Sequence, residues 1–504
     1  MSRLVGAFPY LDVRNTDYDE ASRSGTTGAL DPRVRDFSTT AGLAALLLAA
    51  ASTRAGAQQL RPPAAPDSAR KCAECSGRKR LPAAAGELLA FEAIPYSFNR
   101  WVARIDWGQT TTRTWSYNLH HGWVWDTDHF AINQFAHPYS GNLYFNSARN
   151  NGYDFWQSAP FALVGSVLWE YFGETTRPSI NDLVNTTLGG ITLGETTYRL
   201  SSIILDARAT GRERVLREIG AALVDPPRGL ARGLHGEWGK VGPNAFDRLP
   251  RSLHPSIALG YQRVTRGDAR SPLRGANQGF VGFALDYGDP LAGDVTKPFG
   301  AFRVDATLAS HTPGTFSQVN AVGFLGVHDF RHADRDDQQL QVAMHYHYMN
   351  NQALVSGAQG FSGVLLSRYP IGGLGALRTE LWLTGIALGA VRSDYGADSA
   401  AVANETARNY DYGPGGGGRA LARFEHRGRT LVEASYQSTW IDVVSGAART
   451  HHYEVLTGRA TLPLGGRFSL GATELLYWRQ GRYAAHPEVR TRDAQTQGFV
   501  SVRF

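Results

Sequence analysis

The sequence predicts an α+β protein: a small α-helical domain followed by an antiparallel transmembrane β-barrel of about 12 strands. Two periodicities carry that expectation. Between about 95 and 235 the apolar residues recur at helical spacing; from about Leu253 to Phe504 the period changes to two. Composition agrees. The 504 residues are 42% hydrophobic and 19% charged, too apolar for a disordered chain and too polar for a helical membrane bundle. With 56 Gly, 21 Tyr and 11 Trp, the chain suits many strands joined by tight turns. No run of 18 or more apolar residues lies outside the N-terminal region, which excludes a polytopic helical membrane protein. The net charge of +6 comes from cations scattered along the chain, so there is no nucleic-acid footprint and no nucleic-acid partner is expected.

Residues 1–57 read as an upstream extension plus a signal peptide. Thr40 to Ala51 is a short apolar run, preceded by Arg33 and Arg35 and followed by the small-x-small pattern Ala55-Gly56-Ala57. That pattern predicts export and a mature chain starting at Gln58. Met1 to Arg33 is polar and irregular, which raises a true start near Val34. Residues 58–94 are expected to form a linker, rich in Pro, Ala and Arg over its first part. Cys72 and Cys75 are the only cysteines; they read as a local disulfide or an incidental pair, because the second half of a zinc ribbon and a following His are both missing.

Residues 95–250 are expected to form the helical domain. Asp126 or Thr127 would cap a helix that Pro138 ends, with His129, Asn133 and His137 one turn apart. Ser158 would cap a second helix, apolar on all sides, bearing Glu170 and Glu174 at i,i+4. A third follows Arg177-Pro178-Ser179, with Asn181 and Asn185 one turn apart; Gly189, Gly190 and Gly194 imply close backbone packing. An amphipathic segment from Gly211 to Leu223 would end at Asp225-Pro226-Pro227-Arg228.

Several words in this stretch act together: His137-Pro138-Tyr-Ser-Gly141, Tyr144-Phe-Asn146-Ser-Ala148-Arg149, Asn151-Gly-Tyr153, Ser166-Val-Leu-Trp169-Glu170-Tyr171, Asn181-Asp182-Leu183, Gly189-Gly190 and Gly194-Glu195. Over about Trp101 to Leu234 the chain resembles the bacterial domain of unknown function numbered 3943. The resemblance implies a helical domain in which Arg149, Trp169, Asn181, Asn185, Gly189, Gly190, Gly194 and Glu195 belong to the structural motif, and it implies no activity. A looser likeness to VanZ-like helical families transfers no function.

Residues 251–504 are expected to form the barrel. Leu340, Val342, Met344, Tyr346 and Tyr348 alternate with Gln341, Ala343, His345 and His347; Phe302, Val304 and Ala306 alternate with Arg303, Asp305 and Thr307. A membrane barrel turns the first kind of face to lipid and the second to its lumen, so His345 and His347 are expected inside. A soluble sandwich would show the same alternation. Strand spacing of roughly 20 residues and an even count favour the membrane barrel. Gly413 to Gly418 is placed in a long loop. The ending Gly498-Phe-Val500-Ser-Val502-Arg-Phe504 resembles the assembly signal of outer-membrane barrels, which implies outer-membrane lipid and the barrel assembly machinery as partners, the latter through Phe504.

No GxSxG, P-loop, HExxH or EF-hand loop is present. The candidate constellation is His137, Glu170, Glu174 and Asp182. In one reading the acids pair with Arg149, Arg177 or Arg199 and cap helix ends. In the other His137 is a general base or metal ligand oriented by Glu170, acting on lipid or cell-wall material. The structural reading is preferred, and no cofactor or metal is expected. The function expected is an outer-membrane barrel with a helical periplasmic or plug domain, serving envelope structure or small-molecule passage; the alternative is an envelope hydrolase or acyltransferase. The helical domain could also bind a periplasmic partner.

Overall fold

A computed structural model describes residues 79–504, apart from 245–247, 268–274, 311–315, 330–337 and 397–407. The expected signal segment, the start at Gln58 and the Cys72/Cys75 pair lie outside the described residues.

The helical domain begins at Leu81, inside the stretch expected as linker, because LPAAAGELLAF is rich in strong helix formers and carries a proline in the first turn. Its helices are α1 Leu81–Ser97, α2 Thr112–His120, α3 His137–Arg149, α4 Phe155–Leu168, α5 Ile180–Val184, α6 Gly190–Ile204, α7 Gly211–Val224 and α8 Pro226–Leu234. Widened π-helical turns interrupt them at Ile132–Ala136, Trp169–Gly173 and Asn185–Gly189.

Two expected boundaries are corrected. Pro138 does not end a helix: it sits in the first turn of α3, directly after the first π turn. That turn moves the preceding carbonyls out of the register in which a proline ring would clash. The cap of α4 is Asp154, which forms a capping box with Gln157; Ser158 lies inside the helix. α7 ends at Val224 with Asp225 after it, as expected, and the Asp225 side chain accepts from the Arg228 backbone N–H and caps α8.

α3 and α6 cross backbone to backbone. A Cβ on Gly190 would stand 2.5 Å from the Gly141 Cα, and one on Gly141 would stand 1.8 Å from the Thr186 carbonyl oxygen. Close approach is therefore the reason for these glycines, as the sequence suggests.

The strands are β1 Leu253–Arg266, β2 Ala276–Tyr287, β3 Phe302–Ala309, β4 Gln318–Asp329, β5 Gln338–Asn350, β6 Val355–Pro370, β7 Ala376–Arg392, β8 Tyr410–His426, β9 Arg429–Asp442, β10 Ala448–Gly465, β11 Phe468–Tyr483 and β12 Val489–Arg503. Each pairs antiparallel with the next, and β1 pairs with β12 to close the barrel. Gly413–Gly418 is not a loop but part of β8, in register with β7 and β9. Its glycines admit a close backbone approach: a Cβ on Gly415 would stand 2.1 Å from the Trp440 carbonyl oxygen.

Polarity runs opposite to that of a soluble barrel. Outward-facing Leu383 is 78% exposed, Leu259 67% and Leu462 62%, while Arg303, Asp305, His345, His347, Arg419 and Glu433 line the lumen.

The helical domain lies against the outer wall. No residue between 81 and 234 lines the lumen, and the barrel residues that meet the helices have the outward parity. Phe130 stacks on Tyr348 and Trp125 on Tyr412; Phe155 packs on Phe299; Tyr346 Oη donates to the Gln134 carbonyl at 2.6 Å. The helices thus cover an apolar band running from β2 to β8 and bury it in one core. Of the two placements expected, the plug is corrected: the lumen is occupied by the barrel's own side chains, and its free space leaves the helices outside.

Candidate functional site

The π turns bring the candidate residues together. Asn133 lies in the first, Glu170 in the second and Asn185 in the third; His137 follows the first directly. A π turn rotates the following residues relative to an α-helix, so side chains can leave the helix face that their spacing would give them. The result is that one ligand atom each from His137, Glu170 and Asp182 falls within 4.8 Å of the others, all three residues being buried. His137 Nε2 stands 3.5 Å from Asp182 Oδ1, and its Nδ1 stands 3.4 Å from Thr186 Oγ1. Glu170 Oε2 accepts from the Ser179 backbone N–H at 2.7 Å, and Asp182 Oδ1 accepts from Asn181 Nδ2 at 2.9 Å.

Asp126 joins from the segment before α3. Its Oδ1 accepts from Asn133 and from Asn181, both at 2.7 Å. It is therefore a member of the cluster rather than the helix cap expected. Glu174 stays at the edge, where it accepts from Trp169 Nε1 and Thr176 Oγ1. His129 is not among the converging groups.

The expected arginine partners are elsewhere. Arg149 and Arg199 both pair with Glu195, and Arg177 donates to the Gly122 carbonyl. Among the described residues, Glu170 and Asp182 have no arginine or lysine at ion-pair distance, which corrects the salt-bridge reading of these acids. Burial, reinforced by neighbouring acids, pushes both carboxyls well above their usual range. Burial lowers the His137 imidazole to about 4. The cluster thus gathers a neutral imidazole and carboxyls that burial makes costly to ionise without a cation.

The barrel wall reaches the same place. Asn133 Nδ2 donates to Tyr410 Oη at 2.8 Å, Tyr410 Oη donates to the Asp128 carbonyl, and Arg408 Nη1 donates to the Asp126 carbonyl at 2.6 Å. Sequence reasoning missed these contacts, because residues nearly 280 positions apart leave no local signal.

The lumen is the second candidate. It holds a cavity of about 1090 Å³ lined by nine arginines and five carboxylates. At the rim where β1 begins and β12 ends, the cavity reaches His254, Arg427, Arg429 and Arg503. At the other end an apolar layer spans the barrel: Leu354 from the β5–β6 turn meets Val264, Ile386, Val391, Ile441, Tyr453 and Tyr477. Arg266 on β1 reaches across the mouth to the Gln352 carbonyl at 3.0 Å. The lumen is thus a cup. Inside it Arg303 pairs with Glu380 at 2.7 Å and Arg378 with Asp289 at 2.6 Å, whereas Arg419 and Arg459, though in the field of Glu433, make no ion pair among the described residues. His345 and His347 face the cup as expected, their rings 4.9 Å apart; both His345 nitrogens are buried without a hydrogen-bond partner.

Residues 122–227 match the family described as "Domain of unknown function (DUF3943)". The DUF3943 match includes His137, Glu170, Asp182 and Glu195 and stops before the barrel. No curated protein matches the chain. Among solved structures the chain is similar to the NanC porin, at 8% identity and a TM-score of 0.26, over 49% of this chain and 100% of that one. It is also similar to OpdQ of Pseudomonas aeruginosa, at 10% identity and a TM-score of 0.20, over 50% and 97%. BamA from Haemophilus ducreyi lacking POTRA domains 1-3 matches at 10% identity and a TM-score of 0.22, over 46% and 42%.

Proposed function

We propose that the chain is an outer-membrane barrel whose lumen is a basic cup for small anionic solutes, with the DUF3943 region docked on its flank. The observation that carries this is the reversed polarity of a closed barrel: leucines stand bare outside and arginines line the inside. Exposed side chains of that kind are costly in water and stabilising in lipid. Both ends of the barrel segment, and several short turns, lie at the rim where the cup opens. In bacterial barrels that rim faces the periplasm, so the cup receives solutes from that side. The cup's excess of arginines over carboxylates, with Arg419 and Arg459 outside its ion pairs, favours anions. The apolar layer at Leu354 and Tyr453 then acts as the barrier to passage. In this reading outer-membrane lipid is a partner, and assembly uses the terminal strand ending at Phe504.

Single-channel recording in planar bilayers tests the proposal. The wild-type protein should show little conductance in potassium chloride. Leu354→Gly combined with Tyr453→Ala should open an anion-selective current. Adding Arg419→Gln and Arg459→Gln should reduce that selectivity. An opened variant that prefers cations, or one that never inserts into a bilayer, sinks the proposal.

A further inference from the structure

The cluster on the barrel's flank supports a separate inference. We propose that His137, Glu170 and Asp182 form a binding site for one divalent first-row cation, zinc or manganese being the best match. Three donors from three helical segments converge within 4.8 Å, in a position from which water is largely excluded. A zinc–ligand bond of about 2.1 Å sets ligand atoms about 3.4 Å apart in a tetrahedron, so closure needs each donor to move by less than about 1 Å. Small rotations of the Glu170 and Asp182 side chains supply that.

The donor set favours a transition metal. One imidazole with two carboxylates suits zinc or manganese, whereas calcium and magnesium take oxygen donors alone. The surroundings are those of ligands held in place. His137 Nδ1 faces Thr186 Oγ1, which leaves Nε2 directed at the carboxylates. Ser179 holds Glu170 through its backbone N–H, and Asn181 holds Asp182. Metal ligands are oriented by such outer contacts.

A second observation points to a missing ligand. Asn133 and Asn185 are both fully buried, yet the Oδ1 of each has no hydrogen-bond partner. Asn133 is tied to the cluster through its amide bond to Asp126, and Asn185 is tied to Asn133 through the latter's carbonyl. Buried acceptors of this kind are normally satisfied. Water bound to a cation at the cluster is the kind of donor these acceptors lack. The cation would also neutralise carboxylates that no arginine reaches.

The test uses the full chain in detergent, stripped with a chelator and then given zinc or manganese alone. Metal content after desalting, affinity by calorimetry and the thermal midpoint are the readouts. The expected result is about one ion per chain, with a midpoint that rises on metal addition and falls back with chelator. Glu170→Gln and Asp182→Asn should each weaken affinity at least about tenfold, while the stripped variants melt no earlier than the stripped wild type. Manganese also reports by spin resonance on the wild-type protein, as loss of the free-ion signal up to one equivalent. That readout keeps the proposal testable should a variant fail to fold. Sub-stoichiometric uptake by the stripped wild type overturns the proposal, and so does unchanged affinity in the Glu170→Gln, Asp182→Asn double variant.

Discussion

Two carboxylate clusters lie buried within the same bundle of helices, and they are built oppositely. Glu195 is fully buried and takes two bonds from Arg149, at 2.7 and 2.9 Å, and one from Arg199 at 2.8 Å. The Arg149 and Arg228 guanidinium groups both lie 4.2 Å from the Tyr198 ring. The buried carboxylate there has its opposite charge supplied by the chain. Glu170 and Asp182 instead meet a histidine that burial keeps neutral. A buried acid needs its charge matched or removed. One cluster is complete as a piece of polypeptide; the other is complete only with a proton or a cation added.

The largest effect expected follows from the complete cluster. Glu195→Gln strands two buried arginines, which typically costs about 3–5 kcal/mol. Thermal melting should show a fall of many degrees, with poor yield. Glu170→Gln in metal-stripped protein removes a carboxyl that has no cation, and the midpoint should stay or rise. Equal losses from the two substitutions would erase the distinction between the clusters.

A smaller effect tests how far the second cluster depends on the barrel. Tyr410→Phe removes the hydroxyl that bonds both Asn133 and the Asp128 carbonyl. A lost hydrogen bond costs about 1 kcal/mol, and more when it leaves a buried donor unpaired. The barrel itself should persist, so the loss should show as faster backbone hydrogen exchange in the segment from Asp126 to Ala136, with β9–β12 unchanged. Exchange that rises uniformly would mean that the helices and the barrel melt together, with no weaker seam between them.

Much of this architecture is legible in the sequence, and the reasons are local. Period-two alternation in stretches such as Leu340 to Tyr348 sets the strands, and the same parity puts His345 and His347 in the lumen. The words around Trp169-Glu170-Tyr171 and Gly189-Gly190 mark the helical domain. What stays hidden depends on contacts between distant residues. Met344, Tyr346 and Tyr348 read as lipid-facing, but they pack under helices, because an apolar face carries no record of what covers it. Glu170 and Asp182 read as partners of Arg149 and Arg199, but Glu195 takes both arginines; counting charges does not assign pairs. The π turns escape as well. They depend on a five-residue hydrogen bond that no residue type announces, so Asn133, His137 and Glu170 reach one point from spacings drawn for an α-helix.

An effect of similar size, visible only at high pH, concerns an acid outside both clusters. Glu87, on α1, is 1% exposed, and the Asn151 side chain only partly offsets the cost of burying its carboxyl. Burial raises its pKa from 4.5 to about 7. Its folded form therefore holds a proton that the unfolded chain releases at lower pH. Between those two values the unfolded state binds fewer protons, so stability falls as pH rises from about 4.5 and levels off above about 7. Glu87→Gln keeps the shape and removes the titration. At pH 8 the variant should be more stable than the wild type by about 1–2 kcal/mol, a discount for solvent screening on the full value of 1.4 kcal/mol per pKa unit. At pH 4 the two should melt together. Melting curves across pH 4–8 decide it. A constant gap between the two proteins at every pH would mean that Glu87 acts through packing, and that an acid without an arginine partner need not titrate to be tolerated.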